Sequence, residues 1–310
     1  MKNQEITIQE YANHFGLIWL NGDMNAMKRM VTEPTINRPG LELACFFDHP
    51  RSRRLVFLGN TEMAYIHTMS EENICRAFDF LMNQECPGII ICNNLECPSI
   101  IIQLALERNF PMFQSNLKTN DLLIETMTYL NEALAPVTSL HGTLMEIFSV
   151  GVVIMGASGI GKSETALELI KKGHHMISDD RVDIRLTRGH NLLGKSPELL
   201  KNMMEVRGIG IIDISKMFGV NTIRDEKNVE LIIQLTSFDD RDDYERLGSK
   251  TEYQDILGVK VPIISIPVSG ARSIGDIIEV AVTNYKLKKN GYDSTHEFEE
   301  RLNELLRRKD

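Results

Sequence analysis

The sequence predicts an α/β fold in two parts, on three observations. Apolar runs of strand length alternate with amphipathic stretches of helical length through residues 1–134. A glycine-rich loop at 156–163 joins a strand pattern to a helix pattern. Strand-length apolar runs then recur between residues 176 and 268. Such alternation argues largely parallel sheets with helical crossovers. The expected division is an N-terminal α/β domain over 1–134 and a P-loop domain over 135–310.

In the first part, residues 17–20 form an apolar run ending at Asn21-Gly22, a turn signal. Residues 54–59, after Arg54, and 87–92 are β-rich, apolar and bounded by glycine or proline, as strands buried on both faces are. Residues 70–82 open with Ser70 followed by Glu71 and Glu72, an N-cap and an acidic first turn. A second helix is expected from Pro98 to Asn109, a short strand over 111–114, and a further helix over 120–134. Acids and amides scatter in the turns, so this domain offers no catalytic constellation and reads as a structural, assembly or regulatory module. Pro136 marks the boundary. In the second part, strands are expected at 150–155, 176–178, 182–186, 209–214, 229–235 and 259–268, with a helix over 163–172 ending at Gly173. The tail places Phe298, Leu302, Leu305 and Leu306 on one helical face, for packing on the core or docking a partner.

Composition bounds the function. The chain has 310 residues, 43% hydrophobic and 25% charged, as a globular protein has. Its net charge of −9 argues against general nucleic-acid binding, which needs a basic face. The polar start Met1-Lys-Asn-Gln-Glu is unlike a signal peptide, and no apolar run approaches the roughly 20 residues that span a bilayer. A cytoplasmic protein with no membrane partner is expected. The five cysteines, Cys45, Cys75, Cys86, Cys92 and Cys97, are odd in number and mostly have apolar neighbours, so buried free thiols are expected, and the spacing of Cys86, Cys92 and Cys97 lacks the close pairs of a zinc site.

Gly156, Ala157, Ser158, Gly159, Ile160, Gly161, Lys162 and Ser163 match the P-loop pattern in the strand–loop–helix context it requires. Loop N–H groups and the helix N-terminus would cradle phosphate oxygens. Lys162 would reach the β- and γ-phosphates, and the Ser163 hydroxyl would hold Mg²⁺. Asp179 and Asp180 close the next apolar strand, near a Walker B position. Neighbours on a strand face opposite ways, so one carboxylate could serve Mg²⁺ while the other takes a proton from an attacking hydroxyl. A polar turn is the plain alternative. Between Glu205 and Asp213, a Glu, an Arg, two glycines and an Asp interrupt an apolar strand. Glu205 could complete a Mg²⁺ shell and Arg207 could neutralise phosphate, against a bulged strand with surface charges. His141, just before the P-loop strand, by itself reads as a packed or capping residue. Arg246, in a highly charged run, is a solvated residue or a movable cation near the phosphoryl group. The turn at 267–272 is an anion site or an ordinary connection.

Taken together and in order, Ser139 to Gly142, the P-loop, Ser178 to Asp180, Glu205 to Asp213, Arg246, and Pro267 to Arg272 resemble the HPr kinase/phosphorylase family over the whole chain. The resemblance implies a phosphoenolpyruvate-carboxykinase-like core and a homohexamer. It implies transfer of phosphate from ATP, or from pyrophosphate, to a serine of the phosphocarrier HPr. It implies the reverse removal by inorganic phosphate, giving pyrophosphate, and a sensor role in carbon catabolite repression. By the same resemblance, Asp180 is the base and, in reverse, the acid. His141, Lys162 and Arg246 are catalytic, and Ser163 and Glu205 hold Mg²⁺. The segment Glu205, Val206, Arg207, Gly208, Ile209, Gly210, Ile211, Ile212 and Asp213 serves both directions. Pro267, Val268, Ser269, Gly270, Ala271 and Arg272 serve phosphorolysis.

Two other readings fit the residues alone. A small-molecule kinase would phosphorylate a metabolite without HPr. A nucleotide-gated switch would need the P-loop but tolerate loss of Asp180.

Overall fold

A computed structural model describes residues 5–21, 24–48, 53–83, 85–187, 189–237, 252–268 and 273–307. Contacts divide the chain into two compact units, one ending at Ala135 and the other beginning at Pro136.

The first unit is built on a five-stranded sheet, in the order Ile18–Asn21, Met112–Gln114, Ile89–Ile91, Leu55–Leu58, Ile36–Asn37. The last four run parallel, and Ile18–Asn21 is antiparallel to its neighbour. Strand alternation splits the apolar residues between two cores. Val56, Leu58, Ile89 and Ile91 pack with Ala77, Phe78, Leu81 and Ile101 of the helices Glu71–Leu81 and Ser99–Glu107. Leu55, Phe57, Ile90 and Phe113 pack with Tyr11 and Leu122 from the helices Ile8–His14 and Thr119–Ala133. Burial on both faces explains why these strands read as unbroken apolar runs. Ser70 caps its helix as expected, its hydroxyl accepting from the Asn73 N–H at 3.3 Å. All five cysteines are free, and burial pushes the Cys86 thiol up to about 12 and Cys92 up to about 11.

The second unit stacks two sheets. The larger has the order His175–Ser178, Thr143–Ile147, Val150–Gly156, Leu231–Ser237, Val259–Val268, Glu252–Ile256. Its three middle-to-late strands, from Val150, Leu231 and Val259, run parallel; the other pairings are antiparallel. One face, with Val152, Ile154, Leu231 and Ile233, packs on the helices Lys162–Lys171 and Ile274–Lys289. The other face, with Leu144, Val153 and Ile232, meets Val182, Ile184 and Leu192 of the smaller antiparallel sheet. That sheet has the order Glu226–Asn228, Asn191–Lys195, Arg181–Thr187, Val137–His141.

Gly151 in the P-loop strand reports how tightly these parts fit. A Cβ there would lie 1.8 Å from the Asn228 carbonyl oxygen, which is backbone and cannot swing away. Gly151→Ala is therefore expected to destabilise the unit by about 3 kcal/mol, the upper end for overpacking, and to lower the urea midpoint accordingly.

Two expectations change. The segment from 209 to 214 is not one strand. Met203–Val206 and Gly210–Asp213 form a hairpin, turned at Arg207, Gly208 and Ile209 with the Ile209 N–H donating to the Val206 carbonyl at 3.0 Å. Gly208 at φ +81° and Gly210 at φ +104° make the reversal possible. Ile214 then starts the helix Ile214–Phe218, because the Asp213 carboxylate caps it by accepting from the Lys216 N–H at 3.1 Å. The tail helix Ser294–Arg307 forms, yet Phe298, Leu302 and Leu306 remain about half exposed, so this stripe is not sealed against the core. Among the described residues, no helix is long and apolar enough to cross a membrane.

Candidate active site

The P-loop sits at the carboxyl end of a strand flanked by Thr143–Ile147 and Leu231–Ser237. Gly156 must be small, since a Cβ would lie 2.8 Å from the Leu235 carbonyl oxygen and 2.9 Å from Ile160 Cγ2. Gly161 at φ +105° turns the chain into the helix Lys162–Lys171, whose N-terminus faces the loop. Lys162 is buried and its Nζ donates to the Gly156 carbonyl at 3.0 Å and the Ala157 carbonyl at 3.1 Å. The cation is thus held across the loop before any phosphate arrives.

The two aspartates occupy the turn between His175–Ser178 and Arg181–Thr187 and are sent to opposite environments. Asp179 is 3% exposed. Its carboxylate accepts from Thr143 Oγ1 at 2.7 Å and Ser163 Oγ at 3.0 Å, and the backbone N–H groups of Asp180 and Glu205 also favour its charged form. Burial raises its pKa above the usual carboxylate value, and the four donors pull against that. Asp180 takes the left-handed region at φ +65°, which turns its side chain outward. The turn is pinned by the Gly142 N–H donating to the Asp180 carbonyl at 3.0 Å and the Arg181 N–H donating to the Asp179 carbonyl at 2.8 Å. The exposed Asp180 carboxylate lies 3.2 Å from His141 Nδ1. His141 gets there because it ends the strand Val137–His141, in register with Arg181.

The hairpin Met203–Asp213 joins the same site at two points. The Glu205 backbone lies close enough to Asp179 to lower its pKa, and the Arg207 guanidinium lies over Gly159 of the P-loop. A Cβ on Gly159 would sit 2.5 Å from an Arg207 nitrogen, so the glycine makes room for the cation. The Glu205 side chain itself is exposed. Pro267 and Val268 end the strand Val259–Val268, in register with Thr236 and Ser237 of the strand next to the P-loop strand. Arg246 lies outside the described residues, as do Ser269, Gly270, Ala271 and Arg272.

The structure therefore brings together the P-loop, Asp179, Asp180, His141, Glu205 and Arg207. Thr143 was not singled out from sequence, although a threonine inside the buried run 143–147 needs a partner, and Asp179 is that partner. Among the described residues, no group of three or more His, Cys, Asp or Glu side chains is placed to hold a metal unaided. A hydroxyl beside a buried carboxylate, Ser163 on Asp179, nonetheless fits a hard cation that retains waters and takes further oxygens from a phosphate.

Two family models cover almost all of this chain. The HPr Serine kinase N terminus matches residues 6–130, and the HPr Serine kinase C-terminal domain matches residues 132–302. The chain belongs to the HPr kinase/phosphorylase family. As a member it is a serine kinase/phosphorylase enzyme. The HPr kinase/phosphorylase of Brevibacillus brevis is 37% identical over 295 residues, covering 95% of this chain and 94% of that protein. That of Lactobacillus johnsonii is 40% identical over 279 residues, covering 90% of this chain and 88% of that protein. The solved HPr(Ser) kinase/phosphatase of Coxiella burnetii is 34% identical, with a TM-score of 0.48, covering 52% of this chain and 98% of that chain.

Proposed function

We propose that the chain phosphorylates a serine of HPr from ATP or pyrophosphate, and removes that phosphate by phosphorolysis with inorganic phosphate. The observation that carries this reading is the separation of the paired aspartates. Asp179 is buried on Ser163 of the P-loop, and Asp180 faces solvent beside His141. The base is thus available to a macromolecular hydroxyl while its neighbour stays with the nucleotide.

In the forward direction, the Asp180 carboxylate takes the serine hydroxyl proton as the serine oxygen attacks the terminal phosphorus. The bridging P–O bond breaks, and ADP departs when ATP is the donor or inorganic phosphate when pyrophosphate is. In reverse, a phosphate oxygen attacks the phosphoserine phosphorus. The P–O(serine) bond breaks, protonated Asp180 returns its proton to the serine oxygen, and pyrophosphate departs. His141, 3.2 Å away, orients Asp180. Lys162 and Arg207 bring positive charge to the transferred group, where charge neutralisation dominates such reactions. Ser163 and Asp179, with Glu205 nearby, would hold Mg²⁺, which when bound offsets phosphate charge. Arg246 as a catalytic cation, Pro267 to Arg272 in phosphorolysis, a homohexameric assembly, a cytoplasmic location and a role in carbon catabolite repression belong to the same reading. The net charge of −9 supports a protein rather than a nucleic-acid partner.

The first test is transfer of ³²P from labelled ATP to HPr with Mg²⁺; no labelled HPr would remove the reading. Lys162→Ala is expected to weaken ATP binding by about 10- to 100-fold, since a hydrogen bond to a charged group contributes about 1.5–3 kcal/mol. Titration of the variant with a fluorescent ATP analogue checks it, and unchanged affinity would refute the cradle.

A further inference from the structure

Ile209 and Ile211 are 73% and 75% exposed, although they belong to an apolar run. Their exposure follows from the hairpin. Met204 and Val206 turn into the core, opposite Ile212 and Gly210, which leaves the other face to Glu205 and its cross-strand partner Ile211. Ile209 stands at the turn, between glycines whose positive φ values fix its presentation. The same hairpin reaches the reacting centre through Arg207, whose guanidinium lies over Gly159 of the P-loop. Two isoleucines are thus held in water beside the P-loop on a braced support, at a cost that folding does not repay. Phosphate and Mg²⁺ offer nothing to an isoleucine, whereas a protein acceptor does.

Resting on the function proposed above, we infer that Ile209 and Ile211 are the docking contact for the protein acceptor, covering an apolar patch that flanks its target serine. The nucleotide would sit at the P-loop, which the same hairpin meets through Arg207 at its turn. Docking therefore brings acceptor burial and the Arg207 contact together in one element. The same contact would serve HPr with or without its phosphate, so both directions of the proposed reaction would depend on it.

The test uses the full chain with Ile209→Ser, Ile211→Ser and the pair, measured for HPr phosphorylation, ATP-analogue affinity and mass by light scattering. The expected result is a KM for HPr raised about ten-fold or more per side chain, as follows from leaving an isoleucine in water. ATP affinity and mass are expected to be unchanged, with Ile211→Val restoring most of the KM. An unchanged KM in variants of an enzyme that phosphorylates HPr would overturn the inference while leaving the function intact. A drop in mass would assign the patch to a second copy of the chain, and a loss of ATP affinity would assign it to the nucleotide; either overturns it. Wild-type protein that leaves HPr unmodified would instead remove the underlying reading.

Discussion

Asp180→Asn is expected to lose both phosphorylation and phosphorolysis of HPr by about 10²- to 10⁴-fold, the contribution of a positioned general acid–base. The amide keeps the size of the side chain and its place near His141, but cannot take the serine proton. ATP affinity is expected to survive, because the contact with Ser163 of the P-loop is made by Asp179, while Asp180 lies beside His141. Stability is also expected to hold, since the Asp180 side chain is largely exposed and the turn is held by backbone hydrogen bonds. Quenched-flow transfer in both directions, beside nucleotide titration, checks it. A variant that still phosphorylates HPr at the normal rate would remove Asp180 from the mechanism. One that loses ATP binding as well would turn the assignment toward Asp179.

Asp179→Asn should behave differently. This carboxylate is buried, and desolvation works against its charge. The metal-free wild-type protein therefore carries a desolvation cost at neutral pH that its donors offset only in part, and the asparagine lacks it while retaining an oxygen for Thr143 and Ser163. The variant is expected to melt at a higher temperature than wild type without Mg²⁺. Added Mg²⁺ and ATP should stabilise wild type and leave the variant little changed, because only a ligand that binds the folded state raises its melting temperature. Phosphotransfer should fall at least as far as in Asp180→Asn. Calorimetry with and without Mg²⁺ checks it, and a variant less stable than wild type under metal-free conditions would contradict the burial argument.

The P-loop was the most legible part of the chain because it is local. Glycines, lysine and serine at fixed spacing, between a strand and a helix pattern, leave little else to form, and strand Val150–Gly156 and helix Lys162–Lys171 followed. The doubly buried strands of the first unit were legible for the same reason. The division of labour between Asp179 and Asp180 was not. Adjacency in sequence says that they diverge, but the direction is set by the φ of Asp180 and by Thr143, which belongs to another strand. The hairpin Met203–Asp213 was hidden because its strands are only four residues long and mostly apolar, so glycine permissiveness at 208 and 210 read as a bulge. The helix Ile274–Lys289 was hidden by Gly275 and by a Val, Thr and Tyr content that weakens helical propensity, which packing of Ile274, Ile278 and Val282 overrides.

The most direct measurement is pyrophosphate release when the purified chain meets serine-phosphorylated HPr, Mg²⁺ and inorganic phosphate. The account predicts pyrophosphate formed in step with HPr dephosphorylation, one for one, and abolished in Asp180→Asn. Dephosphorylation that releases inorganic phosphate with no pyrophosphate would mean attack by water and would contradict the phosphorolytic reading; no dephosphorylation at all would leave at most a one-way kinase.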